Sequence, residues 1–167
     1  MAKKGGKKKG KTPEHPGEKL ICKNRRAARN YDLGERLEAG LVLRGTEVKS
    51  CRGGKAHLND AYVRIERGEA YLVNSHIGEY EQGGPYLNHP PTRARKLLMH
   101  REELEKMARK ILERGFVAIP TAMYFKNGYI KVELALGRGR SHGDRRQVVK
   151  ERETAREMER VMRRAKR

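Results

Sequence analysis

Apolar and polar residues alternate most cleanly at two places in the chain. Ala61, Val63 and Ile65 take turns with Tyr62, Arg64 and Glu66, the two-residue period of a half-buried strand. Arg67-Gly68 turns the chain, and Glu69–Val73 returns as the partner strand. Farther on, Ile130, Val132, Leu134 and Leu136 share one face of a strand over 129–136, with Lys131 and Glu133 on the other. Asn127-Gly128 predicts a tight hairpin joining it to a strand over 116–125. Pro120 marks an edge or a bulge in that strand. Between the hairpins the period changes. Leu104, Met107, Ala108, Ile111 and Leu112 recur at helical spacing and predict a helix over 97–115. Glu102 and Glu103 suit its first turn, Lys110 and Arg114 its end, and Gly115 its stop. Residues 74–91, rich in Gly, Pro, Asn and His, form a long loop of the kind that carries function in small domains.

The earlier part of the chain is less regular. A first strand is expected within 20–33 and a short helical turn over 32–37. Leu41, Val42 and Leu43 suit a buried strand. Gly45-Thr46 breaks it, the Thr46 hydroxyl can cap a helix, Val48 and Cys51 would face inward, and Gly53-Gly54 ends the helix. These elements predict a mainly β domain over 20–136, about six strands with two or three helices. Short antiparallel strands in so small a domain close most easily as a barrel of the oligonucleotide-binding type. Residues 1–19 read as a disordered basic arm. Residues 137–167 read as a basic tail, Gly- and Arg-rich to 146 and then helix-forming, disordered alone and helical on a partner.

Charge narrows the choice of partner. The chain of 167 residues has 40 Lys and Arg against 21 Asp and Glu, a net +19, and a pI near 10.3. Residues 1–19 carry net +5 and residues 137–167 net +7, so the short tails hold most of the excess. Such a distribution favours a polyanion bound through phosphates, and RNA or DNA over mere solubility. There is no apolar run long enough to span a bilayer and no apolar stretch behind the first lysines, so a cytoplasmic protein is expected. Cys22 and Cys51 are isolated and read as packing thiols. The histidines His15, His57, His76, His89, His100 and His142 show no metal-ligand pairing, and neither a metal nor a cofactor is expected. A nuclease would need His76, His89 and His100 to meet in the fold; loop and capping histidines are far commoner, so no enzyme is expected.

The ordered set of short motifs is more specific than any one of them. The run EAGLVLRGTEVKS at 38–50, followed by Arg52, Gly54-Lys55 and Asn59-Asp60, resembles the small protein B family. The likeness continues through Tyr62, Gly68-Glu69-Ala70, His76-Ile77, Asn88-His89-Pro90, Arg93 and Arg95-Lys96-Leu97-Leu98, and resumes at Lys131-Val132 and over 139–146. That family is the protein partner of transfer-messenger RNA (SsrA RNA) in bacterial ribosome rescue. The resemblance implies the same barrel and a monomer that carries this RNA to stalled ribosomes, its tail entering the decoding centre and messenger channel. The alternative is a ribosomal or tRNA-binding barrel protein without a rescue role.

Residue by residue, the resemblance places Glu38, Leu98 and His100 at the RNA surface, where the basic cluster Arg93, Arg95 and Lys96 also falls; Lys49 completes the expected RNA-binding set. A carboxylate among phosphates must accept hydrogen bonds from base amines or orient a cation. In the tail, Arg138, Arg140, His142, Asp144, Arg145 and Arg146 match the family's basic pattern, with Gly143 where the family usually has a ring.

Overall fold

The structure, a computed structural model, describes residues 19–113, 115–141, 149–150, 153–155, 157–158 and 162. The elements follow in the order β1 (Lys19–Lys23), α1 (Ala27–Asn30), β2 (Tyr31–Leu41), α2 (Gly45–Arg52), β3 (Ala56–His57), β4 (Tyr62–Glu66), β5 (Glu69–Val73), β6 (His76–Ile77), α3 (Gly84–Leu87), β7 (Arg95–Leu98), α4 (Arg101–Leu112), β8 (Phe116–Lys126) and β9 (Tyr129–Gly139). Seven strands make one antiparallel sheet in the order β1-β8-β9-β2-β7-β5-β4, and β3 pairs with β6 as a separate ribbon. The class is mainly β with a few helices, as expected, but with nine strands among the described residues rather than about six. The ladder is open: among the described residues no pairing joins β4 to β1 or β8. The sheet curls enough that β4 lies against β8.

Both hairpins form where the turn residues demand them. Arg67 and Gly68 adopt φ of 50° and 76°, and Asn127 and Gly128 adopt 50° and 81°. Two left-handed residues in succession match the right-handed twist of the flanking strands. The β8–β9 register slips between Pro120 and Ala122, the bulge that Pro120 foretells. Val63, Leu72, Ile77, Met107, Met123, Val132 and Leu134 are among the buried apolar side chains of the core.

Several expectations fail. Residues 32–37 are strand, inside an eleven-residue β2. The register slip between Leu33 and Arg36 interrupts its alternation, which hides the strand from a period-two reading. The helix expected over 97–115 begins only at Arg101, because 95–98 is strand β7. Arg95 and Leu97 are buried there and Leu98 is exposed, a strand alternation in which an arginine occupies a core position. α4 keeps its apolar stripe through Met107, although Leu112 is 85% exposed. Glu35 of β2 holds the helix down, accepting from Lys106 Nζ at 2.5 Å and Lys110 Nζ at 2.9 Å. At the other helix, Thr46 does not cap α2. Its hydroxyl donates to the Leu87 carbonyl at 3.3 Å, while Glu47 accepts from the Arg44 N–H at 2.8 Å.

The folded domain also runs past Leu136. β9 pairs through Gly139, with Gly137 opposite Leu33 and Gly139 opposite Tyr31. A Cβ on Gly137 would sit 2.7 Å from the Asp32 carbonyl oxygen, so two backbones meet there at a distance that no other residue allows. The Gly-Arg-Gly-Arg composition looks like tail, but its backbone hydrogen bonds and glycine-only approach make it sheet. Residues 1–18 and 142–148 lie outside the described residues. Among those described beyond them, 149–150, 153–155, 157–158 and 162 are helical, with Met158 and Met162 exposed. No described helix is long and apolar enough to cross a membrane.

Gly137→Ala should destabilise the domain by about 1–3 kcal/mol through overpacking against β2. Gly45→Ala, where an added Cβ meets nothing within 4 Å, should be neutral or slightly stabilising. Urea unfolding of the two variants checks the contrast.

Candidate nucleic-acid interface

The outward face of the sheet collects charge from five neighbouring strands, β8, β9, β2, β7 and β5. Gly40 stands opposite Lys131 of β9 and Leu98 of β7, and Glu38, two residues earlier in β2, lies on the same face. Lys96 of β7 lies opposite Tyr71 of β5. The register thus puts Glu38, Lys96 and Leu98 on one face, with Leu98 53% exposed. His100, two residues beyond Leu98, is exposed at the start of α4, its N–H donating to Glu103 Oε2 at 3.3 Å.

Glu38 is the centre of a cluster. Its Oε2 accepts from Tyr124 Oη at 2.6 Å and Lys126 Nζ at 2.8 Å, and its Oε1 from Lys131 Nζ at 2.7 Å. Partial burial alone would raise its pKa, but the hydrogen bonds from Lys126, Lys131 and Tyr124 outweigh that and bring it down to about 2. Across β7 on the same face, Glu69 accepts from Lys96 Nζ and, at 2.6 Å, from Tyr71 Oη. These bonds hold the Glu69 carboxyl below its ordinary range and the Lys96 ammonium above its own. The face therefore presents ammonium groups fixed in position by carboxylates. Lys126, Lys131 and Tyr124 were absent from the expected set. Outward placement of Lys131 is legible in the sequence; its approach to Glu38 depends on β2 being the neighbour of β9, which no local pattern reveals.

Arg95 belongs elsewhere, a correction to the expected surface set. It points inward from β7 and is fully buried. Its Nε donates to Glu47 Oε1 at 2.9 Å, its Nη1 to the Ser75 carbonyl at 2.6 Å and hydroxyl at 2.9 Å, and its Nη2 to the Pro91 carbonyl at 2.9 Å. Arg93 closes the other side of the same carboxylate, its Nε 2.8 Å from Oε1 and its Nη2 donating to Oε2. Burial pushes the Glu47 carboxyl up, but Arg93, the Arg44 N–H and Arg95 together hold it below its ordinary value. Lys49 stands on α2 with its Nζ 5.0 Å from the centre of the Tyr80 ring, packed toward the 74–91 loop. Composition marks these residues as basic, but only the fold separates ones turned outward from ones spent inside.

The histidines have separate partners. His57 and His76 pair across β3 and β6, their rings stacked at 4.4 Å and 1°. The Nδ1 of His76 is buried with no hydrogen-bond partner among the described residues. Burial, then His57 and Arg95, lower its pKa. His89 lies against Arg44, ring nitrogen to Nη1 at 3.1 Å. No group of three metal-ligating side chains occurs among the described residues. Burial lifts the Cys22 and Cys51 thiols to about 11 and about 12, which leaves them protonated and unreactive at neutral pH.

At the root of the tail, the Arg138 guanidinium lies 4.3 Å over the Phe116 ring. Arg140 Nη2 sits 3.2 Å from Asp32 Oδ1, and the Arg140 N–H donates to the Asn30 carbonyl at 2.9 Å. His142, Asp144, Arg145 and Arg146 lie outside the described residues.

Known proteins resemble this chain over most of its length. The family model described as SmpB protein matches residues 21–164. An SsrA-binding protein of Myxococcus xanthus is 52% identical over 160 residues, covering 96% of this chain and 98% of its own. One of Thermobifida fusca is 49% identical over 164 residues, covering 98% and 99%. A solved structure described as "tmRNA-SmpB: a journey to the center of the bacterial ribosome" contains a chain 42% identical to this one, with a TM-score of 0.63, covering 77% of this chain and 93% of that one.

Glu47→Gln should cost about 3–5 kcal/mol, because Arg95 would stay buried without its counter-charge. Glu105→Gln, which breaks the exposed pair with Arg101, should leave the unfolding midpoint unchanged. The lowered His76 pKa sets a pH dependence. The unfolded chain binds this proton more readily, so the stabilisation is complete above the ordinary histidine value of about 6.5 and is lost as pH falls below it. Unfolding midpoints measured from pH 7.5 down to pH 5 should fall more steeply for the native chain than for His76→Gln.

Proposed function

The chain belongs to the SmpB family, and from that premise we propose that it binds the tRNA-like part of transfer-messenger RNA and delivers it to stalled ribosomes for rescue and tagging of the nascent peptide. Its relatives carry the name SsrA-binding protein at about half identity over nearly the whole chain, and its structural neighbour is described with tmRNA and the ribosome. The observation that carries the reading is the Glu38 cluster. Both carboxylate oxygens are engaged, so Glu38 acts by holding Lys126 and Lys131 at the face instead of accepting from a base. Positioned ammonium groups suit backbone phosphates, and the exposed Leu98 and His100 beside them suit unstacked bases.

The rest of the reading follows from this face. The curled sheet, with β4 against β8, supports a barrel of the oligonucleotide-binding type whose seam is closed by packing. The work is binding without catalysis, a reading supported by His76 stacked on His57, His89 set against Arg44 and His100 placed at the start of α4. The protein acts as a cytoplasmic monomer. The tail starts beyond β9, later than composition suggests, and follows the decoding centre into the messenger channel. Arg138 and Arg140 fix its root on the domain, while His142, Asp144, Arg145 and Arg146 meet ribosomal RNA.

Gel-shift titration with transfer-messenger RNA should show weaker binding for Lys126→Met/Lys131→Met and for Leu98→Ala/His100→Ala, with unfolding midpoints retained. The lysine variant should also lower the slope of log affinity against log salt by about one per lysine removed. Unchanged affinity in both would remove the face from the function, and preference for ribosomal RNA alone would favour a ribosomal role. A chain ending at Ser141 should bind the RNA at native affinity yet fail to tag nascent peptides in a reconstituted translation system; full tagging would refute the channel role.

A further inference from the structure

His57 and His76 are distant in the sequence, and the fold sets them face to face. β3 and β6 form a ribbon of two residue pairs, Ala56 opposite Ile77 and His57 opposite His76. Strand alternation buries Ala56 and Ile77 in the core and turns the two imidazoles the other way, His57 exposed and His76 half-buried. The rings stack with centroids 4.4 Å apart and planes within 1°. The ribbon is separate from the seven-stranded sheet that carries Glu38.

The chemistry of the pair suits a metal ion. Neither ring makes a hydrogen bond among the described residues, and the Nδ1 of His76 is buried without a partner. A buried nitrogen left unpaired costs free energy, which ligation would recover. Two imidazoles stack in this way when neutral, since two imidazoliums at such a distance repel, and the neutral ring is the form that ligates metal. An ion about 2.0–2.1 Å from each nitrogen needs the two nitrogens within about 3.4 Å of one another. Rings on opposed residues reach that by turning about their Cβ–Cγ bonds, a torsion that is broad for histidine. The neighbouring cations are already met: Arg95, which comes near His76 from inside, pairs with Glu47, and Lys55, just before β3, pairs with Glu81. No third ligating side chain joins the pair among the described residues, so water completes the coordination. Imidazole donors select Zn²⁺, Ni²⁺ and Cu²⁺ over Mg²⁺.

We propose that His57 and His76 form a binding site for a late divalent transition-metal ion, which staples β3 to β6. Ser75, next to His76, gives both its carbonyl and its hydroxyl to Arg95, so the ion stiffens a ribbon that the buried arginine already anchors. The site is independent of the Glu38 face, and its failure would leave the reading of that face untouched.

The test is proton–carbon NMR of the histidine rings in the full chain, stripped of metal with a chelator and titrated with zinc chloride. Unfolding midpoints with zinc, nickel or magnesium chloride accompany it. Zn²⁺ should shift the His57 and His76 ring signals together and saturably at one equivalent. Zn²⁺ and Ni²⁺ should raise the midpoint, because the ion binds the folded ribbon, and Mg²⁺ should not. His57→Phe keeps a ring in the stack but removes its nitrogens; it should weaken Zn²⁺ binding about 10-fold or more and abolish the rise. His89→Ala should keep both. If His57→Phe fails to fold, the ring signals and midpoints of the native chain decide. Shifts at only one of the two rings, shifts confined to other histidines, or no shifts would overturn the proposal. So would a midpoint that Zn²⁺ lowers or leaves unchanged, or a rise that persists in His57→Phe.

Discussion

The ion cluster around Glu47 holds the two halves of the sheet together. β7 joins them, and it does so thinly: Leu97 and Leu98 pair with β2, and Arg95 and Lys96 with β5. Four residues of strand could not by themselves fix the angle between two sheet halves. Arg95 supplies the anchor from inside. Its guanidinium reaches Glu47 on α2, Ser75 beside β6 and the Pro91 carbonyl in the long loop, so helix, ribbon and loop are referred to one planar group. A buried arginine is tolerated because its donors are met, and Arg93 completes the neutralisation of the carboxylate from the other side.

The same short strand serves the surface. Alternation turns Arg95 and Leu97 inward and Lys96 and Leu98 outward, so the residue that anchors the interior also sets where the exposed pair stands. Across the face, carboxylates organise the cations: Glu38 gathers Lys126, Lys131 and Tyr124, and Glu69 gathers Lys96 and Tyr71. Lysine side chains on an open sheet would otherwise sample many rotamers before meeting a phosphate. Holding them costs some net charge and lowers the entropy lost on binding.

How much of this was legible depended on whether the signal was local. The two hairpins announced themselves through Arg67-Gly68 and Asn127-Gly128, because a type I′ turn constrains its own two residues. The apolar stripe through Met107 was local in the same way. β2 was missed because a bulge breaks its alternation, and β7 because an arginine in a core position reads as surface. Residues 137–139 read as tail because their composition is polar, whereas what makes them strand is the close crossing of Gly137 over Asp32. Glu38, Leu98 and His100 rest on the resemblance and Lys96 on its basic cluster, and the register puts Glu38, Lys96 and Leu98 on one face. Lys126 and Lys131 required knowing which strands are neighbours, a long-range fact that no window of sequence contains.

β9 ends where the tail begins, and it is a central strand, paired with β8 on one side and β2 on the other up to its last residues. A pull on the tail along the axis of β9 would therefore load both ladders in shear, many hydrogen bonds at once, whereas a tail leaving an edge strand would peel its bonds off one after another. Such a load would reach the centre of the sheet, with the Arg138–Phe116 contact and the Arg140–Asp32 pair as its first stops.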